Sequence, residues 1–148
     1  MAQVKLYSVD QAERALPLVR RIAQDIVNGF VRRDEVVAAR NKLPTALESG
    51  SEIERAAHKL DREIELQSVE LQRFARELDL LGVVLKDWRT GLIDFYSHYD
   101  GRIVHLCWKL DEGDKLAWWH DLKAGFSGRQ PITAENRAKF LNARSLKA

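Results

Sequence analysis

The sequence predicts an α+β domain: a long antiparallel two-helix hairpin, a small antiparallel β-meander and a short C-terminal helix. Three observations predict it. Apolar residues recur at three- and four-residue steps from Leu16 to Leu81, the period of helices with one buried face. After Gly82 the pattern changes to short, strand-like runs. Among those runs sits Asp100-Gly101, a two-residue hairpin signal.

The first helix is expected to start after Ser8, whose hydroxyl can cap it, with Asp10 and Glu13 favouring its first turn. Leu16, Val19, Ala23, Ile26, Val27 and Phe30 mark its apolar face. Pro17 removes one backbone donor, so a kink or a restart is expected there. Gly29 weakens the middle without ending it. The stretch "LPTALESG" reads as a loop. Ser51 with Glu54 has the S-x-x-E spacing of a capping box. A second helix follows over about 52–81, with Ile53, Ala57, Leu60, Ile64, Leu71, Phe74, Leu78 and Leu81 in a coiled-coil-like seam. Gly82 suits the position just past it. Each helix would span about 45 Å, and the short connection makes them antiparallel neighbours. A seam this long is hard to bury on a thin sheet, so a homodimer through the helices is expected.

In the second part, "VVLK", "TGLIDFYSHY" and "RIVHLCWKL" read as strands and "DEGD" as a turn. "KLAWWHDL" fits either a further hairpin arm or a helical turn. "GFSGRQP" reads as a loop, and Thr133 can cap a terminal helix over about 134–146. The whole chain is expected to form one domain: helical hairpin 8–81, meander 83–121, then loop and terminal helix 122–148.

The hairpin turn implies a register. Tyr99 pairs with Arg102, so Tyr96 faces His105 and Asp94 faces Cys107. Asp94, Tyr96, His98, His105 and Cys107 then share one face, and Ile93, Phe95, Val104, Leu106 and Trp108 the other. The second set is a core face. The first gathers a carboxylate, a phenol, two imidazoles and a thiol, a donor set suited to zinc or iron. Cys107 alone is equally an inert buried hydrophobe, and His105 opposite Tyr96 an ordinary cross-strand pair. Asp94 is harder to dismiss, because aspartate is depleted in strands and a buried one needs a partner.

Composition narrows the classes. With 24 basic and 22 acidic residues the net charge is +2, too balanced for nucleic-acid binding by bulk electrostatics. The single cysteine excludes an intramolecular disulfide and fits a reducing compartment. No apolar run approaches the roughly 18 residues that span a bilayer, and the N-terminal stretch lacks a signal-peptide core. A cytoplasmic location with no membrane partner is expected.

"GVVLKDWRTGLIDFYS", "LCWKLDE", "WWHDLKAGFSGRQP" and the early "ALPLV" together resemble a family of bacterial proteins, DUF2203, a domain of unknown function. The resemblance covers nearly the whole chain and implies no reaction. It marks Asp94, Cys107, Trp108, Glu112, His120, Gly125, Phe126 and Arg129 as motif positions. It places His105 at a variable, often apolar position, and "DEGDK" is one residue longer than the family's usual turn. This shifts weight from His-x-Cys to Asp94, Cys107 and His120 as metal ligands, with His105 as an accessory. His120 could instead be a general base or a structural partner of Asp94. A cysteine, histidine and aspartate also suit a thiol hydrolase, but a strand-buried thiol with no helix N-terminus beside it is usually inert. Arg129, in a glycine-containing loop, could contact an anion or pair with Asp94 or Glu112. Glu63, Glu70 and Glu77 form a seven-residue stripe that reads as a solvated face, and His58 reads as exposed. Two functions are compatible with all of this. One is a small metal-binding protein with its site on the polar face of the hairpin. The other is a non-catalytic homo-oligomeric scaffold or interaction protein using its helices.

Overall fold

The computed structural model describes residues 4–141. Its α1, Val9–Asn41, starts at a capping box. The Ser8 hydroxyl accepts the Gln11 amide at 3.1 Å, and the Gln11 side chain accepts the Ser8 amide at 3.0 Å. Gln11 closes the box, while Glu13 instead accepts the Leu116 amide at 2.9 Å. The helix runs through Pro17 without restarting. Pro17 is exposed, so the missing hydrogen bond falls on the side where water can replace it. After the loop, α2 covers Glu52–Leu80. The Ser51 hydroxyl accepts the Glu54 amide at 3.1 Å, and Glu54 reaches one residue past the expected box to the Gly50 amide at 3.2 Å. Gly82, with φ of 75°, ends the helix in the left-handed region.

Cross-helix pairs show the antiparallel arrangement, because positions fall along α1 as they rise along α2. Arg40 binds Asp61 at 2.8 Å, Arg33 binds Ser68 at 2.9 Å, and Gly29 lies beside Leu71. Ala57, Leu71 and Leu78 are the buried positions of α2. Ile53, expected in the same seam, is 47% exposed, because the core is concentrated at the other end of the hairpin.

Five antiparallel strands form one meander in chain order: β1 Val83–Asp87, β2 Leu92–Tyr99, β3 Arg102–Trp108, β4 Trp118–Asp121 and β5 Gln130–Pro131. "WWHD" is therefore a strand, and β5 adds a short edge that the loop reading of "GFSGRQP" missed. Asp100 and Gly101 both have positive φ, 52° and 78°, as a two-residue turn of the primed type requires. The register matches the sequence expectation, with Tyr99 opposite Arg102, Tyr96 opposite His105 and Asp94 opposite Cys107. Ile93, Phe95, Val104, Leu106 and Trp108 are fully buried, in one cluster with Leu16, Val19, Ala23 and Ile26 of α1. Each such side chain contributes about 1.5–3 kcal/mol on leaving water.

The terminal helix expected over 134–146 is only a 3-10 turn, Arg137–Lys139, and residues 142–148 lie outside the described residues. Thr133 and Asn136 do cap each other, through bonds of 2.7 and 3.1 Å. The chain then turns extended at Phe140, which is buried and stacks on Tyr99 at 4.5 Å. Burying that ring competes with a further helical turn and wins. The Leu141 amide then binds the His98 carbonyl at 2.7 Å, as the Tyr7 amide binds the Tyr96 carbonyl at 2.8 Å. Both fill the part of the β2 edge that β1 leaves uncovered.

A side chain at position 101 must enter the left-handed region, at a cost of about 1–2 kcal/mol. Gly101→Val is expected to lower the urea midpoint by that stability with the slope unchanged; an unchanged midpoint would show that the turn does not constrain the fold.

Candidate metal centre

The polar face of the sheet is organised in two rows. One row is Asp94, Cys107 and Trp118 on β2, β3 and β4; the next is Tyr96, His105 and His120. Strands two apart are separated by nearly 10 Å of backbone. Their side chains nevertheless meet above β3. His120 Nε2 lies 3.1 Å from Asp94 Oδ1, and His105 Nδ1 lies 3.3 Å from Asp94 Oδ2. One donor atom from each of Asp94, His105 and His120 falls within 4.8 Å of the others. All three residues are at most 3% exposed.

The proton arrangement follows from the neighbours. His120 Nδ1 lies 2.8 Å from the Asp121 backbone carbonyl. A carbonyl only accepts, so Nδ1 carries a hydrogen and the ring is oriented with Nε2 toward Asp94. Nε2 then either carries a second proton, giving an imidazolium–carboxylate pair, or offers a lone pair to a cation held with Asp94. His105 differs. Its contact with Asp94 is short enough for an ion pair but too poorly aligned for a hydrogen bond, and both ring nitrogens are buried without a partner. Burial lowers its pKa against the opposing pull of Asp94, and nearby His120 and Lys86 add to the lowering. His105 is thus a neutral imidazole with a free lone pair. Its ring also packs edge-on against Tyr96 at 4.8 Å and His120 at 5.1 Å.

Cys107 is buried beside this group. Burial, then the Asp94 carboxylate, push its thiol up to about 12, partly offset by Arg129. It is a protonated thiol at neutral pH, which speaks against a nucleophile. The anion contact expected at Arg129 is met from within the chain. Glu112 takes two of its N–H groups at 2.6 and 2.7 Å, and the guanidinium lies between Trp118 and Phe126 at 5.1 and 4.6 Å. This clamp holds the loop after β4 to the turn after β3. Of the glutamate stripe, Glu63 binds Arg32 and Glu70 binds Arg73, and His58 is exposed.

Sequence reasoning ranked His105 below His120, and the structure gives both the same carboxylate. The missing signal was the pairing of β4, which sets His105 opposite His120. "KLAWWHDL" has no two-residue turn before it to reveal that register.

Among the described residues, no helix is long and apolar enough to cross a membrane. No curated protein and no solved structure matches the chain. Residues 5–132 of the 148 match the family described as an uncharacterized conserved protein, DUF2203. That span includes both helices, every strand and the whole Asp94–His105–His120 group, and the chain belongs to this family.

Proposed function

We propose that the protein binds one divalent transition metal, zinc or iron, through Asp94, His105 and His120. The observation that carries this reading is the pair of unpartnered, buried ring nitrogens on His105 beside a buried carboxylate. Leaving such groups unpaired costs about 1–3 kcal/mol each, and a cation at this point would satisfy one of them together with Asp94 and His120 Nε2. The spacing supports it. The two imidazole–carboxylate contacts, 3.1 Å to Asp94 Oδ1 and 3.3 Å to Asp94 Oδ2, are close to the roughly 3.3 Å ligand–ligand edge of tetrahedral zinc, and the three donors, which lie within 4.8 Å of one another, would draw together on a cation. The His120 bond to the Asp121 carbonyl is the outer-shell support that metal-bound histidines usually have. Two imidazoles and one carboxylate suit zinc and also ferrous iron, and both leave coordination positions open. Cys107, two residues from His105 on the same face of β3, stays a proton-bearing neighbour until a metal displaces that proton.

Elemental analysis of the purified protein is expected to find about one equivalent of zinc or iron per chain. Metal at 100 times its Kd adds about 2.7 kcal/mol, roughly 5–10 °C in Tm for a chain of this size. His120→Ala is expected to weaken binding more than the roughly 10–100-fold loss caused by removing an outer-shell partner. No retained metal, with a Tm indifferent to zinc, iron and chelator, would leave Asp94 as the centre of a structural imidazolium pair and sink the proposal.

The thiol supplies a separate check. Native Cys107 is expected to resist an aromatic disulfide reagent at pH 8 and to react fully once unfolded in urea. Rapid native labelling would contradict both its burial and its raised pKa.

The helices favour a second reading, a homo-oligomeric scaffold. On α1, Leu18 and Val31 are each at least half exposed. Light scattering at micromolar concentration should then give a dimer mass, and a monomer mass defeats this reading.

A further inference from the structure

The outward side of α2 has a charge pattern that its packing does not explain. Residues 55, 59, 62, 66, 69, 73, 76 and 80 succeed one another at alternating steps of four and three. They are Arg55, Lys59, Arg62, Leu66, Val69, Arg73, Arg76 and Leu80, and all eight are exposed. They lie opposite the Ala57, Leu71 and Leu78 side that packs inward. Every lysine and arginine of α2, five in all, falls on this stripe, and none of the helix's eight carboxylates does. Among the described residues, Lys59, Arg62 and Arg76 make no ion pair. Arg73 binds Glu70, and Arg55 binds only the Gly50 carbonyl. At the centre, Leu66 and Val69 are 69% and 62% exposed.

Alternating steps of four and three make the seam by which one helix packs along another. From first to last position the stripe runs about 37 Å, with apolar contacts at its middle and one end. Charge decides what it fits. Five cations against eight carboxylates leave α2 at −3 with His58 neutral, so the helix as a whole repels a broad anionic surface. Glu63, Glu70 and Glu77 on one flank and Asp61, Glu65 and Asp79 on the other add to that repulsion against a lipid headgroup layer or a phosphate backbone. A single helix about 10 Å wide, with its own narrow acidic stripe, meets the cations and avoids the flanks. A second copy of α2 does not fit. Antiparallel pairing about the Leu66–Val69 centre sets Lys59 against Arg76 and Arg62 against Arg73, and parallel pairing sets each cation against itself. A homodimer would therefore use α1, leaving this stripe free.

We propose that the exposed stripe of α2 is a docking seam for an acidic amphipathic helix of a partner protein. Carboxylates of that helix would face Arg55, Lys59, Arg62, Arg73 and Arg76, and its apolar residues would face Leu66, Val69 and Leu80. This is independent of the metal centre, which lies on the far face of the sheet.

The test uses the full chain and a labelled synthetic helix of about four heptads, with leucine and glutamate at the seam positions. Fluorescence anisotropy is expected to show saturable, salt-weakened binding of this peptide and none of its lysine counterpart. Reversing Arg62→Glu with Arg73→Glu should weaken binding by roughly tenfold, and so should Leu66→Gln with Val69→Gln. All four positions are exposed, so the variants should keep the parent circular dichroism and Tm. Failure of the acidic peptide to bind, equal binding of the lysine peptide, or indifference to the charge reversal overturns the proposal. So does tighter binding to vesicles of phosphatidylserine and phosphatidylcholine. A dimer that becomes monomeric in the reversal variant overturns it as well, by making a second copy the occupant.

Discussion

The polar centre and the hydrophobic core both depend on the backbone of Asp100 and Gly101. Two successive residues with positive φ close a turn whose twist matches that of the strands it joins. That geometry admits one pairing, Tyr99 with Arg102, and every later pair follows from it. Because side chains alternate along a strand, a slip of one residue would exchange the two faces. Asp94 and His105 would then point at α1, and Phe95 and Leu106 at the polar side. Such a slip would bury a carboxylate among apolar groups and set two large hydrophobes among the buried polar ones, so the turn and the core enforce the same alignment.

The two faces answer different demands. Against α1, Ile93, Phe95 and Leu106 are packed with no exposed surface. On the other face, β2 and β4 send Asp94 and His120 over β3 to meet each other. This arrangement is polar yet almost fully shielded from water. A carboxylate there needs cationic or protonated company; His120 Nε2 lies within hydrogen-bond reach of it, while both ring nitrogens of His105 are left without a partner. The Arg129–Glu112 pair, between two aromatic rings, holds the neighbouring loop against the end of β3.

Much of this was legible in the sequence because local rules agreed. Ser8 and Ser51 at helix starts, Gly82 at a helix end and Asp100-Gly101 between strands each act over a few residues. The face shared by Asp94, His105 and Cys107 followed from the turn alone. What was illegible depended on distant packing. The chain after Thr133 has a proper cap but turns away to bury Phe140 against Tyr99 and Trp119. The equivalence of His105 and His120 depended on the pairing of β4, which no local signal encodes. The α2 stripe was present in the letters throughout. A reading that searches for buried apolar residues passes over it, because its meaning lies in where cations stand relative to a core that only the fold defines.

The uncovered part of β2 links two segments far apart in the chain, around Tyr7 and Leu141. The Tyr7 and Leu141 amides bind carbonyls two residues apart on one strand, and Arg137 reaches back to Asp10 at 2.7 Å and to Glu13. The segments at Tyr7 and Leu141 therefore act as guards for the same exposed edge. An open strand edge is a template for another chain, and here each guard consists of a single amide and its flanking side chains. Loss of either would leave half the edge bare while the core stayed intact. The first sign of damage at either guard would then be self-association of folded molecules, ahead of any unfolding.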